Sequence, residues 1–158
     1  MTLGSRRTFI ALAGAAALAL TIGLSGCSSD SGATETAAAA EVQGPAAPVE
    51  APESPVRVGV AEFADVVASP GVTIVDVRTP EEFAEGHIEG AINIPVEYPD
   101  FIDQVSQLDP AGTYAVYCRS GNRSQPAVAG MASVGINGIF ELESGTTGWA
   151  SEGQPLVQ

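Results

Sequence analysis

The chain of 158 residues carries 6 cationic side chains, all of them arginine, against 19 Asp and Glu, a formal charge of −13. The lack of lysine excludes Schiff-base, P-loop-lysine and lysine general-base chemistry, and the acidity excludes nonspecific nucleic-acid binding, since a phosphate backbone repels a chain of its own sign. A hydrophobic fraction of 45% with 16% charged residues suits a globular chain, and the length suits one domain of ordinary size.

Residues 1–26 predict an export signal. Arg6 and Arg7 form a short positive n-region, and Phe9 to Leu24 is an uncharged run rich in Ala, Leu and Gly. That run of about 16 residues is shorter than the roughly 20 needed to span a bilayer, which disfavours a plain transmembrane anchor. Leu24-Ser25-Gly26-Cys27 resembles the bacterial lipobox. The resemblance implies that Cys27 is lipidated and heads a mature chain held on the extracytoplasmic face of the cell membrane. Ser5-Arg6-Arg7-Thr8-Phe9-Ile10 also resembles the twin-arginine export motif, so that route and the general secretory route both stay open. Loss of residues 1–26 leaves four arginines (Arg57, Arg78, Arg119, Arg123) against the same 19 acids, a balance of −15.

Residues 27–55 read as a lipidated, disordered tether. From Ser28 to Pro55 the chain is built mainly from Ser, Ala, Thr, Gly, Glu and Pro, with Val42 and Val49 as its only larger apolar side chains. Such a segment buries too little surface to offset the entropy of ordering. As a flexible coil it spans about 30 Å, with Pro45, Pro48, Pro52 and Pro55 extending its second half.

Residues 56–158 predict one folded domain. Val56–Val60 is a short strand candidate, and Ala61–Ala68 places Phe63, Val66 and Val67 at helical spacing. Val72–Val77 is a buried-strand run opened by the Pro70-Gly71 turn. Thr79 then caps a helix with Pro80 at its first position, and Glu81 and Glu82 favour the positive end of the helix dipole. Ala91–Ile94 is a strand, Pro99–Val105 a helix, and Tyr114–Tyr117 a strand that ends at Cys118. Residues 123–134 form a helix with Ala127, Val128, Met131 and Val134 on one face, and Pro126 is tolerated in its first turn. Gly138–Leu142 is the last strand. This alternation predicts an α/β three-layer sandwich with a mostly parallel central sheet.

Cys118 therefore stands at the carboxyl end of a buried strand, followed by Arg119-Ser120-Gly121-Asn122-Arg123-Ser124 and a helix. Ligands of open α/β sheets gather beyond strand carboxyl ends. A loop ahead of a helix presents unpaired N–H groups and a positive dipole end, which hold an anion and stabilise a thiolate. Gly121 permits an inward turn through positive φ. Arg119 and Arg123 add fixed charges suited to an oxyanion, making the loop a positive spot on an acidic domain.

Four stretches together resemble the rhodanese family of sulfurtransferases over about residues 57–152. They are Asp76-Val77-Arg78-Thr79-Pro80-Glu81-Glu82-Phe83, Gly86–Pro95, the Cys118–Ser124 loop, and Leu142-Glu143-Ser144-Gly145 with Trp149. Ser144 departs from the glycine more usual there, a change expected to matter little. The resemblance implies a persulfide cycle with Cys118 as the catalytic nucleophile. A small anionic donor such as thiosulfate binds to Arg119, Arg123 and the amides of Ser120, Gly121, Asn122 and Ser124. The acceptor is cyanide or a thiol, and neither metal nor cofactor is required.

Two rivals share the fold. A phosphatase or arsenate reductase uses a Cys-x5-Arg loop, whereas here position 124 is Ser and Arg123 falls one residue early. A carrier or sensor of sulfane sulfur would keep Cys118 without useful turnover. His87, the single histidine, is read as structural and bonded to nearby backbone. Asp76 is read as the partner of Arg78 or a turn cap, and Trp149 as a core anchor under a final helix. With Cys27 lipidated, Cys118 is the sole thiol and no intramolecular disulfide can form. A monomer is the default expectation.

Overall fold

The computed structural model describes residues 47–158. The expected export signal, Cys27 and the first part of the expected tether lie outside the described residues. Among those described, no helix is long and apolar enough to cross a membrane.

Five strands form one sheet: β1 (Val56–Val58), β2 (Val72–Asp76), β3 (Ile92–Asn93), β4 (Thr113–Tyr117) and β5 (Ile139–Leu142). Their spatial order is β1-β5-β4-β2-β3, and every pairing is parallel. The "mostly parallel" expectation thus becomes an all-parallel sheet. Five helices complete the domain: α1 (Val60–Val67), α2 (Pro80–Glu85), α3 (Phe101–Val105), α4 (Ser124–Ser133) and α5 (Gly145–Ser151).

The period of two along each strand sorts side chains into two cores, one per face. Val75, Val116 and Ile139 join Phe101, Val105, Ala127 and Met131 from α3 and α4. Ile74, Ala115, Tyr117, Phe140 and Leu142 join Val60, Phe63 and Val66 of α1 and Trp149 of α5. Trp149 belongs to the last helix rather than lying beneath it. It meets Phe63 edge-on at 6.0 Å, and its indole N–H donates to the Pro155 carbonyl at 2.8 Å.

Local signals explain most boundaries. Thr79 and Glu82 make a reciprocal capping box at the start of α2, with Pro80 at the first helical position. The first strand stops two residues early, because Gly59 caps α1 in an extended conformation and its carbonyl accepts the Phe63 N–H at 3.0 Å. Residues 47–55 form neither helix nor strand, yet Val49 packs against the α1-side core. The packed body therefore begins ahead of Val56, because a proline-rich segment loses little entropy when one valine is buried.

The chain leaves β2 toward β3 at one edge and leaves β4 toward β5 on the other side. The carboxyl ends of β2 and β4 consequently flank the switch point, where an open parallel sheet leaves a crevice. Arg78 follows β2 there, and the Cys118 loop follows β4.

Candidate active site

Cys118 is 1% exposed at the end of β4. Its Sγ accepts the Gly121 N–H at 3.2 Å and lies 3.6 Å from Ser124 Oγ. Burial pushes the thiol pKa up. The Ser124 hydroxyl and the backbone N–H groups of Ser120, Ser124 and Arg123 outweigh it, and the net shift is downward.

Two glycines give the loop its shape. Gly121 has φ +79°, and a Cβ there would stand 1.9 Å from the Glu143 carbonyl oxygen. Gly145 has φ +58°, and its Cβ would fall 2.5 Å from the Cys118 carbonyl oxygen. The loop thus packs its backbone directly on the start of α5. There the Thr146 and Thr147 N–H groups donate to the Cys118 and Arg119 carbonyls at 2.9 and 3.0 Å. With those carbonyls drawn toward α5, the following amides are free to face the sulfur.

The remaining loop residues divide by exposure. Ser120 and Asn122 are exposed, with the Asn122 amide donating to Ser120 Oγ at 3.4 Å. Ser124 is fully buried and donates to Glu141 Oε1 at 2.7 Å. Arg119 is exposed and has no ion pair among the described residues. Arg123 is engaged: its Nη1 and Nη2 bind both oxygens of Glu82 at 2.6 and 2.7 Å, with Glu97 at 3.5 Å. The bond to Arg123 holds the Glu82 carboxyl down at about 2, burial opposing it, and in return raises the Arg123 pKa.

A cavity of about 240 Å³ opens beside the loop, walled by Arg78, Glu82, Glu85, Gly86, Arg119, Thr146 and Leu156. Cys118 is not in its wall. Two guanidinium groups and two carboxylates balance there, so the concentrated positive spot expected of this loop is muted by acids from α2. The Arg78 charge is itself committed, with Asp76 Oδ2 at 2.6 Å from Nη2 and the Gly86 carbonyl at 2.7 Å. Asp76 serves both readings made of it, since its Oδ1 also accepts the Arg78 backbone N–H at 2.9 Å. His87 lies away from the sulfur chemistry: its Nδ1 is 3.0 Å from the Phe83 carbonyl and its ring stacks on Phe83.

Two side chains at the site escape the sequence reading. Glu82 is legible as a dipole partner of α2 but not as the clamp on Arg123, 41 residues away. Glu141 is buried, accepts from Ser124, and pairs with Arg57 Nε at 3.2 Å. A signal for it exists: an acid inside the apolar run Ile139-Phe140-Glu141-Leu142, where an unpaired charge would be costly. Among the described residues no cluster of His, Cys, Asp and Glu is arranged to hold a metal.

Residues 59–152 match the model of the rhodanese-like domain family. The chain is 38% identical over 95 residues to thiosulfate sulfurtransferase 16, chloroplastic, of Arabidopsis thaliana, covering 54% of this chain and 79% of that one. It is 35% identical over 86 residues to a sulfurtransferase of Allochromatium vinosum, covering 54% and 78%. The crystal structure of a rhodanese-related protein from Thermoplasma volcanium superposes with a TM-score of 0.57 at 34% identity, over 64% of this chain and 96% of that one. A thiol at the switch point of an all-parallel sheet, cradled by amides and set in this shared fold, places the chain in the rhodanese-like domain family.

Proposed function

We propose that the protein is a sulfurtransferase that moves sulfane sulfur through a Cys118 persulfide. The observation that carries this reading is the convergence of loop amides on a nearly buried Sγ, the Gly121 N–H at 3.2 Å foremost, which favours its anion. The Cys118 thiolate attacks the outer sulfur of thiosulfate. The bond to the sulfonate sulfur breaks, its electron pair leaves with sulfite, and Cys118 carries the terminal sulfur as S–S⁻. Cyanide then attacks that terminal sulfur, thiocyanate departs, and the S–S electron pair returns to Cys118. Charge balances in both steps, and no metal or cofactor enters. The amides that face Sγ suit the persulfide's outer anion equally well.

Arg119, unpaired at the cavity wall, is the first contact for the anionic donor; Arg123 contributes only in competition with Glu82. That competition favours a second reading, a sulfur carrier with slow thiosulfate turnover. Thiocyanate formation from thiosulfate and cyanide by the full chain separates them, with Cys118→Ser alongside. Turnover lost in Cys118→Ser supports the enzyme. A stable gain of one sulfur on Cys118 with negligible turnover supports the carrier. Cys118-dependent hydrolysis of an aryl phosphate would refute both.

We further propose that Cys27 carries the lipid that holds the chain on the extracytoplasmic membrane face after export by the twin-arginine or general secretory route. Labelled palmitate should enter the native chain and be absent from Cys27→Ser, which should leave the membrane fraction. An unlabelled native chain refutes the anchor.

A further inference from the structure

A buried carboxylate lies one hydroxyl away from the reactive sulfur, and the persulfide cycle above makes no use of it. Glu141 is 3% exposed on β5, its Oε1 2.7 Å from Ser124 Oγ and its Oε2 3.2 Å from Arg57 Nε. Ser124 Oγ is in turn 3.6 Å from Cys118 Sγ. A serine hydroxyl has one proton to give. Donated to Glu141 at the shorter distance, it leaves Oγ lone pairs facing the sulfur. Those lone pairs accept an S–H and oppose a thiolate. To support the thiolate, Ser124 must turn its proton to Sγ, and Glu141 must then rely on Arg57 alone. The negative charge of Glu141 opposes a second negative charge on the sulfur in the same low-dielectric pocket.

We propose that Glu141, held by Arg57 and acting through the Ser124 hydroxyl, is a positioning residue that governs how readily Cys118 gives up its proton. Arg57 is placed for this task. Its Nη2 also donates to the Glu143 carbonyl at 3.3 Å, the oxygen that abuts Gly121, so one side chain ties the carboxylate to the floor of the loop. The other charges near the sulfur are accounted for by their own partners or stand on the rim. Arg123 is clamped by Glu82 and flanked by Glu97, Arg78 is paired with Asp76, and Arg119 is exposed. The inference rests on Cys118 as the reacting sulfur of the proposed function and not on any donor. Alkylation reads it without sulfur transfer, so failure of thiosulfate turnover would leave the test intact.

The test is the pH dependence of iodoacetamide alkylation in the full chain, followed by peptide mass spectrometry at Cys118 so that Cys27 does not contribute. Glu141→Gln removes the charge and can donate an amide N–H to Ser124, freeing the hydroxyl proton for Sγ. Its midpoint should fall by about one pH unit, raising the alkylation rate about tenfold below the midpoint. Arg57→Ala should raise the midpoint in the native background and raise it much less beside Glu141→Gln. A folded Glu141→Gln variant with an unmoved or higher midpoint overturns the inference. So does an equal rise from Arg57→Ala in both backgrounds, which would mean that Arg57 acts on the sulfur directly. If Glu141→Gln does not fold, Arg57→Ala decides alone: the half-exposed Arg57 can be removed without opening the core, and an unmoved midpoint refutes the role of the pair.

Discussion

Replacing Glu82 with Gln separates the two things that the Glu82–Arg123 pair does. The bidentate bonds of 2.6 and 2.7 Å, chiefly, hold the Glu82 carboxyl at about 2 against an ordinary 4.5. A fully sheltered carboxylate so depressed contributes about 3 kcal/mol to stability. Here the two side chains keep 23% and 26% of their surface in water, and screening leaves about 1–2 kcal/mol. The pKa is lower in the folded chain than in the unfolded one. The stabilisation is therefore fully present above about 4.5 and is lost as the pH falls toward about 2. Glu82→Gln should lower the stability by that amount at pH 7 and flatten its acid dependence across this window, read by thermal unfolding at a series of pH values. In the same variant Arg123 loses its strongest competitor for an anion, so the KM for thiosulfate should fall several-fold. If the KM rises instead, Glu82 serves to aim Arg123 rather than to occupy it, and the reasoning fails.

Three further substitutions probe the loop. Arg123→Ala should raise the KM for thiosulfate with little change in thermal stability beyond the lost ion pair; an unchanged KM removes Arg123 from the donor site. Gly121→Ala must place a Cβ at φ +79° and 1.9 Å from the Glu143 carbonyl, so the loop has to move. Left-handed backbone alone costs about 1–2 kcal/mol, and thiolate stabilisation by the Gly121 N–H goes with it. Transfer should fall at least tenfold and the alkylation midpoint rise; native kinetics would refute the loop geometry. Ser144→Ala removes the one buried side-chain polar atom that lacks a partner among the described residues. It should stabilise the chain by about 1 kcal/mol, seen as a higher Tm with transfer unchanged.

The parts of the fold readable in the chain are those whose physics is local. Val72–Val77 and Tyr114–Tyr117 are mainly apolar runs because both faces of a parallel strand are covered, and Thr79-Pro80-Glu81-Glu82 carries a helix start within four residues. The Cys118 loop is readable for a similar reason. A strand end, a glycine and a helix start, seven residues in all, suffice to aim amides at one sulfur. What stays hidden depends on pairings that only the sheet order creates. Because β5 lies beside β4, Glu141 comes to stand behind Ser124. Because α2 follows β2 across the switch point, Glu82 reaches Arg123.

Ser144 shows the same limit in one residue. By size it is a mild replacement for glycine. In place, its Oγ finds no partner, and only the missing side chain of Gly148 leaves it room, since a Cβ there would lie 1.9 Å away. Charge follows this rule as well. Counting arginines places two of the four after residue 26 in the Cys118 loop, but a count cannot tell a free guanidinium from a clamped one. The clamp turns a loop that looks strongly cationic into one where a single exposed arginine, Arg119, stands open to an incoming anion. The thiolate must then draw its stability from neutral backbone N–H dipoles more than from net charge. Dipoles fixed in the backbone do not leave with the product. A site built on them suits in turn each anion of the proposed cycle: thiolate, persulfide and departing sulfite.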